Sequence, residues 1–151
     1  MKILVSACLL GVACRYDGRS KPCPGIEELM ERHTLIPVCP ECYGGLPTPR
    51  TPAERQGNRV VTKDGQDVTD AFIRGTAEIL RLADLYHCKA ALLKENSPSC
   101  GSGKIYDGTF TGTLVEGDGI TAQLLKQKGI QVYGESEIRE LVDERPFYYS
   151  I

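Results

Sequence analysis

The sequence predicts an α/β protein with a three-layer, Rossmann-like or flavodoxin-like fold around a mostly parallel sheet of about four strands. Two observations lead to this prediction. Short apolar runs alternate along the chain with segments of helical periodicity, a pattern typical of parallel sheets covered by helices. The 151 residues are 41% hydrophobic and 25% charged, an ordinary globular composition in a chain long enough for one core. We therefore expect a single domain over residues 1–151.

The predicted elements follow from these runs. Strands are predicted at residues 2–7, 34–38, 89–93 and 130–133, and the proline at position 37 weakens the second because it removes a backbone donor. Helices are predicted at 25–33, 68–86, 120–128 and from 136 to 142, with Asp67 capping the longest. Residues 46–66 are predicted to be too polar to build core. Within them, Val60-Val61 followed by Asp64-Gly65 predicts a small hairpin. A second hairpin, from Tyr106 to Thr113, is predicted to cover the pocket.

Charge and cysteine content limit the classes of function. The formal net charge is −2 and no cluster of Lys and Arg is present, so we expect no nucleic-acid partner. No apolar run reaches the length of a membrane span. Only three apolar residues separate Lys2 from Ser6, too few for a secretory signal. We therefore expect a cytoplasmic protein whose seven cysteines stay reduced, which favours metal binding or catalysis over disulfides. The sequence predicts no oligomeric state.

Each of the first three predicted strands runs directly into a loop that carries a cysteine. Cys8 follows the first strand, Cys39 the second and Cys100 the third, the last within a loop rich in Gly, Ser and Pro. Because ligands bind beyond the carboxyl ends of parallel strands, we expect the three thiols to meet at one edge of the sheet.

Three interpretations of this trio remain open from the residues alone. Free cysteines are often small buried apolar groups, which suits Cys88 beside a strand better than Cys100 in its polar loop. Cys39 and Cys42 form a lone C-x-x-C pair that could bind zinc or act as a dithiol, although structural zinc usually takes four ligands. A redox pair should open a helix, and residues 43–47 cannot continue one well. The third interpretation is an iron–sulfur cluster held by Cys8, Cys39 and Cys100 with one iron open.

Two other side chains lie close in sequence to the proposed ligands. Glu41 could serve as a general base and Ser97 could orient water or relay a proton. Equally, Glu41 could cap a turn and Ser97 could bind local backbone.

Several motifs stand in a fixed order along nearly the whole chain. They are VSACLLG at residues 5–11, CRYDG at 14–18, CPE at 39–41, GGLPTPR at 44–50 and SPSCG at 97–101. Together they resemble the signatures of the domain-of-unknown-function 523 family, which includes thiouracil desulfurases with an oxygen-sensitive [4Fe-4S] cluster held by three cysteines.

The resemblance implies an enzyme and assigns roles by motif. The implied ligands are Cys8, Cys39 and Cys100, and the implied catalytic residues are Glu41 and Ser97, with Ser99 as the alternative serine. Cys14 and Cys42 remain as alternative ligands, and zinc as the alternative metal.

The activity that the resemblance implies is non-redox removal of sulfur from a thiolated pyrimidine such as 2-thiouracil, giving uracil and sulfide. An open iron would act as a Lewis acid on the sulfur while water, activated by Glu41 or Ser97, attacks the carbon. Arg50 and Asn96 are candidates for holding the ring. The alternative from another class is a non-enzymatic zinc or thiol module that uses the Cys39/Cys42 pair.

Overall fold

A four-stranded parallel sheet forms the centre of the computed structural model, which describes residues 1–143. Its strands are β1 (Lys2–Ser6), β2 (Thr34–Val38), β5 (Ala90–Leu93) and β8 (Gln131–Gly134), in the order β2-β1-β5-β8. Every neighbouring pair is parallel. The fold class and all four predicted strands are confirmed. Of the predicted domain, residues 144–151 lie outside the described part of the chain.

The burial of the strands explains why these residues form a sheet. Ile3, Leu4 and Val5 of β1 have no exposed surface, as expected for a central strand covered on both faces. Pro37 is tolerated because β2 lies at the edge of the sheet, where a missing N–H leaves no neighbouring strand unpaired.

Helices cover both faces of the sheet and complete the three layers. The helices are α1 (Ile26–Arg32), α2 (Pro40–Tyr43), α3 (Thr69–Tyr86), α4 (Ile120–Gln127) and α5 (Ile138–Val142). One apolar cluster joins Ile3 and Leu92 to residues of α1 and α5, and a second joins Leu4 and Leu93 to residues of α3 and α4. In residues 1–143, no helix is both long enough and apolar enough to cross a bilayer.

Both predicted hairpins exist. In the first, the chain turns at Asp64-Gly65 as predicted: the Thr62 N–H donates to the Gln66 carbonyl oxygen at 2.8 Å, and Val61 forms an antiparallel bridge with Asp67. In addition, β4 (Arg59–Thr62) pairs with β3 (Ala53–Gln56) through an unpredicted reversal at residues 57–58. The second pairs β6 (Lys104–Tyr106) with β7 (Leu114–Glu116), and residues 107–113 form the connecting loop. The prediction that residues 46–66 build no core was wrong: Val60 is fully buried and packs with Phe72 and Ile120.

Helix α2 was not predicted, because glycines follow it. It lasts only four residues, with Cys39 at its N-cap position and Pro40 in its first turn. It packs extremely closely on α3. A Cβ atom added at Gly75 would lie 1.7 Å from the Pro40 carbonyl oxygen, and one added at Gly44 would lie 1.9 Å from the Ala71 oxygen. The two glycines therefore allow α2 to lie against α3, which fixes the segment that carries Cys39 and Glu41.

Candidate metal centre

A cavity of about 410 Å³ opens at the carboxyl edge of the parallel sheet, within the size range of small-molecule sites. Its walls include all three cysteines that follow the strands, Cys8, Cys39 and Cys100. They also include Glu41 and Ser97. The cavity thus brings together the three proposed ligands and both proposed catalytic residues.

Local geometry holds each of the three cysteines. Cys8 lies in a short 3-10 turn directly after β1, and its carbonyl oxygen accepts a hydrogen bond from the Lys21 N–H at 2.9 Å. Cys39 is the N-cap residue of α2. The segment before Cys100 is held by α4, whose Ile120 and Thr121 N–H groups donate to the carbonyl oxygens of Pro98 and Ser99 at 3.0 and 2.9 Å. The free N–H groups of a helix terminus thus find partners in the loop that presents Cys100.

The thiols of Cys14, Cys39 and Cys100 favour their protonated form when no cation is bound. Burial raises the pKa of Cys100 to about 12, against smaller opposing effects of the Ser6 and Ser99 hydroxyls. Contact with the Cys14 thiol, followed by burial, raises the pKa of Cys39. For Cys14 the contact with Cys39 lowers the pKa, but the contact with Cys8 together with burial outweighs it and raises the pKa to about 11. Only a bound cation would make several thiolates stable here.

The donor set fits an iron–sulfur cluster better than a single ion. Among the described residues, no three side chains of His, Cys, Asp or Glu converge closely enough to hold one metal ion. A cluster spreads its ligands over several irons, so its thiolates need not converge on a point. Cys8, Cys39 and Cys100 are free thiols on one cavity wall and supply three soft ligands. They would hold the cluster, and the cavity beside them would admit a substrate.

Of the four remaining thiols, all within the described residues, only that of Cys14 lies at this cavity. Cys14 is buried and lines the same cavity, although no strand ends at it. Cys42 is not part of the cavity wall; its sulfur lies 3.7 Å from Thr48 Oγ1 and 3.9 Å from the Cys14 carbonyl oxygen. Cys23 and Cys88 are buried within the two apolar clusters that cover the sheet, and for Cys88 this confirms the predicted packing role.

The Glu41 carboxylate is held from two sides. Arg50 Nε donates to Oε1 at 3.0 Å, and Ser99 Oγ donates to Oε2 at 2.9 Å. Ser99 has only 1% of its surface exposed, and the Arg50 side chain 7%. In so dry a setting the carboxylate has a fixed orientation, with its second oxygen turned toward the loop that precedes Cys100.

The two serines of that loop form a hydrogen-bonded chain with the carboxylate. Their Oγ atoms are 2.9 Å apart. Because the Ser99 proton is directed to Glu41, the proton between the serines must come from Ser97. The chain therefore runs from the Ser97 hydroxyl through the Ser99 hydroxyl to Glu41. Ser97 Oγ also accepts the backbone N–H groups of Ser99 and Cys100, both at 3.1 Å, and so shapes the loop at the ligand.

The two candidates for holding a substrate ring differ sharply in their free hydrogen-bonding capacity. Besides Glu41, the Arg50 guanidinium donates to Thr48 Oγ1 and to the carbonyl oxygens of Pro47 and Cys14, at 3.0 to 3.2 Å. Its donors are largely used within the protein. The Asn96 amide lines the cavity, and within residues 1–143 it makes no side-chain hydrogen bond. Asn96 thus retains both a donor and an acceptor for a ligand.

Sequence reasoning gave too little weight to Ser99 and Cys14, and none to Glu54 and Phe110, which also line the cavity. Ser99 lies two residues after Ser97 in the same loop, and composition does not show which of the two hydroxyls faces Glu41. No sequence signal marked Glu54, because Ala53–Gln56 reads AERQ and shows no apolar alternation.

Comparisons with known proteins agree with this geometry. A family model described as 2-thiouracil desulfurase matches residues 3–137. The uncharacterized protein YbbK of Bacillus subtilis (strain 168) is 43% identical over 150 residues, which cover 93% of this chain and 99% of that protein. The solved structure of the [4Fe-4S]-dependent thiouracil desulfidase TudS (DUF523Vcz) is 51% identical. The two structures superpose with a TM-score of 0.89, and the match covers 93% of this chain and 94% of the TudS chain.

Proposed function

This chain belongs to the 2-thiouracil desulfurase family, and we propose that it converts a thiolated pyrimidine such as 2-thiouracil to the oxo-pyrimidine and sulfide with a [4Fe-4S] cluster. Water supplies the oxygen: a C–O bond forms, the C–S bond breaks and sulfur leaves as hydrogen sulfide. No electrons are transferred. The observation that carries this proposal is a carboxylate–serine–serine chain that reaches the cavity beside Cys100.

We assign the ligand role to Cys8, Cys39 and Cys100. The support is that they line one cavity, that all three are free thiols, and that each follows a strand of the parallel sheet. When bound, the cluster would supply a soft Lewis acid for the substrate sulfur. Holding it from the ends of three strands would fix its position relative to Glu41.

Glu41 acts as the base. Ser97 supplies the hydroxyl nearest the substrate. Glu41 is fixed by Arg50 and draws the Ser99 proton toward itself, which leaves the Ser99 oxygen to accept from Ser97. Because Ser97 Oγ already accepts two backbone N–H groups, it takes a proton from water only as its own proton passes along the two short hydrogen bonds to the carboxylate. Arg50 is a positioning residue in this scheme, because its N–H groups serve Glu41 and the surrounding backbone.

The Asn96 amide would recognise the edge of the ring. Its unused donor and acceptor match the carbonyl and N–H groups of a pyrimidine. The partner is therefore a small thiolated nucleobase, and no Lys/Arg cluster suggests nucleic acid. An oxygen-sensitive cluster and seven reduced cysteines favour the cytoplasm. The zinc or thiol module is not favoured, since Cys42 lies outside the cavity.

Anaerobic purification followed by iron, zinc and sulfide assays, with 2-thiouracil turnover, tests this function. We expect iron and sulfide in cluster stoichiometry and release of uracil. Cys100→Ala should lose the cluster, whereas the matched Cys42→Ala should keep it. Glu41→Ala should keep the cluster and lose turnover. A colourless protein with one zinc per chain and no sulfide release would refute the enzyme.

A further inference from the structure

The backbone is strained at two positions on the cavity wall. In the described chain, three non-glycine residues have a positive φ: His87, Asn96 and Phe110. His87 closes helix α3, a common place for this conformation, but Asn96 and Phe110 both line the cavity. For a bulky aromatic residue, a φ of 58° is an outlier that persists only where surrounding contacts enforce it. Such strain is concentrated at ligand clamps.

The contacts that enforce the Phe110 conformation come from strand β3. Glu54 Oε1 accepts the N–H groups of Gly108 and Phe110, at 2.9 and 3.1 Å. Gln56 Nε2 donates to the Gly108 carbonyl oxygen at 2.9 Å. The loop also approaches β3 so closely that a Cβ atom at Gly108 would lie 2.8 Å from Gln56 Cγ. Glu54 is 9% exposed, so its charge is buried mainly to bind this loop.

The Phe110 ring has little use in the packing of the protein. It is half-buried, and within residues 1–143 it belongs to none of the three apolar clusters or to the side chains that pack against them. A costly backbone conformation therefore holds an aromatic ring on the wall of the cavity rather than in a core. A planar heteroaromatic ring is the ligand that an exposed aromatic face binds best, through stacking.

We propose that Phe110 is the stacking platform for the pyrimidine ring of the substrate, and that Glu54 is the positioning residue that holds Phe110 in place. The proposal rests on the proposed function and adds a specificity determinant to it. Asn96, the other strained residue of the cavity wall, binds the edge of the same ring, so stacking and edge recognition come from two separate loops. The loop of residues 107–113 is thus the part of the site that recognises the planar shape of the base.

The test measures binding of uracil, the product, by calorimetry on cluster-loaded protein, together with KM and kcat for 2-thiouracil. Phe110→Ala should weaken uracil binding and raise KM by roughly 5- to 150-fold, the range that one base–aromatic stack supplies, with iron content and kcat little changed. Phe110→Tyr should restore binding. Leu114→Ala is the matched control, because it removes an exposed apolar side chain from β7 outside the cavity wall.

The experiment on Glu54 includes a measurement, chymotrypsin cleavage, that does not depend on turnover. Glu54→Ala should expose the loop to chymotrypsin, with cleavage after Phe110, and should weaken uracil binding. Glu54→Gln, which keeps one acceptor oxygen, should largely restore both. Unchanged uracil affinity in Phe110→Ala, or loss of turnover in Glu54→Ala with an intact loop and intact binding, would overturn the proposal. If the wild-type protein releases no sulfide from 2-thiouracil, the proposed function itself fails.

Discussion

The proposed chemistry depends on a small set of side chains that lie close together although the sequence separates them. Glu41 belongs to a one-turn helix, Arg50 to the segment after it, and Ser97 and Ser99 to a loop about 50 residues further on. Their hydrogen bonds are nevertheless all within 3.0 Å. The two serines make different contacts, since Ser99 donates to the carboxylate whereas Ser97 accepts from the backbone around the proposed ligand Cys100.

This difference predicts separable effects of two conservative substitutions. Ser99→Ala should interrupt the chain to Glu41 and lower kcat by about 100-fold or more, the usual size of a general-base contribution, with normal iron content. Ser97→Ala should lower both kcat and iron content, because the N–H groups of Ser99 and Cys100 lose their acceptor. Iron assay and steady-state kinetics on both variants check this. Equal iron content in the two variants would contradict the separate tasks.

The Arg50–Glu41 pair should contribute to stability as well as to catalysis. Arg50→Met leaves the partly buried carboxylate of Glu41 without its cation, which should cost about 1–3 kcal/mol of unfolding free energy. The substitution should cost about 0.5–3 kcal/mol less in a Glu41→Gln background, where no charge is stranded. Equilibrium urea unfolding of the four proteins measures the coupling. Strictly additive effects would show that Arg50 stabilises only its backbone partners.

Among the elements, the crossing of α2 and α3 has the largest effect on the site. Glycine normally destabilises a helix interior by about 1 kcal/mol relative to alanine. Gly75 lies within α3 because no larger residue fits beneath the Pro40 carbonyl. The crossing sets the position of α2, which begins after Cys39 and contains Glu41.

Gly75→Ala should therefore disturb the site from outside it. The added methyl group would force α2 away from α3 and cost about 1–3 kcal/mol of stability, despite the better helix propensity of alanine. Displacement of α2 should also lower iron content and turnover. Ala77→Ser, on the exposed face of the same helix, is the matched control and should change neither. A fully loaded, fully active Gly75→Ala protein would show that the crossing tolerates the methyl group.

For the whole molecule, three of the four parallel strands are followed by a proposed ligand. A cluster bound to Cys8, Cys39 and Cys100 would join the segments after β1, β2 and β5. Because such a group binds the folded chain only, binding should add to global stability.

Cluster removal should therefore lower the melting temperature. Under anaerobic conditions, the loaded protein should melt several degrees above the apo form, at about 2–4 °C for each kcal/mol of binding free energy. Cys100→Ala should melt like the apo protein. Cys88→Ser, whose thiol lies in the apolar cluster against α3 and α4, should keep the difference between loaded and apo forms. Identical melting curves for the loaded and apo wild-type proteins would exclude structural coupling.

Sequence patterns were sufficient for the parallel sheet, the long helices and the convergence of three thiols at one edge. Apolar periodicity reports burial directly, and parallel strands necessarily present their carboxyl ends together. The resemblance to a known family supplied the cluster and the thiouracil, and the comparisons confirm both the family and its cofactor. The pairing of β3 with β4 and the brief helix α2 were missed, because short elements depend on tertiary contacts more than on local propensity.

By itself, then, the sequence determined the fold class and which cysteines could meet. Only the tertiary structure decided how the neighbouring polar groups are used. It directs the Ser99 proton to Glu41, engages most of the Arg50 donors with the protein, leaves Cys42 outside the cavity and holds Phe110 on its wall. The reason is physical: strand direction follows from local patterns, whereas a hydrogen bond requires two atoms about 3 Å apart. Between distant segments, packing sets that distance.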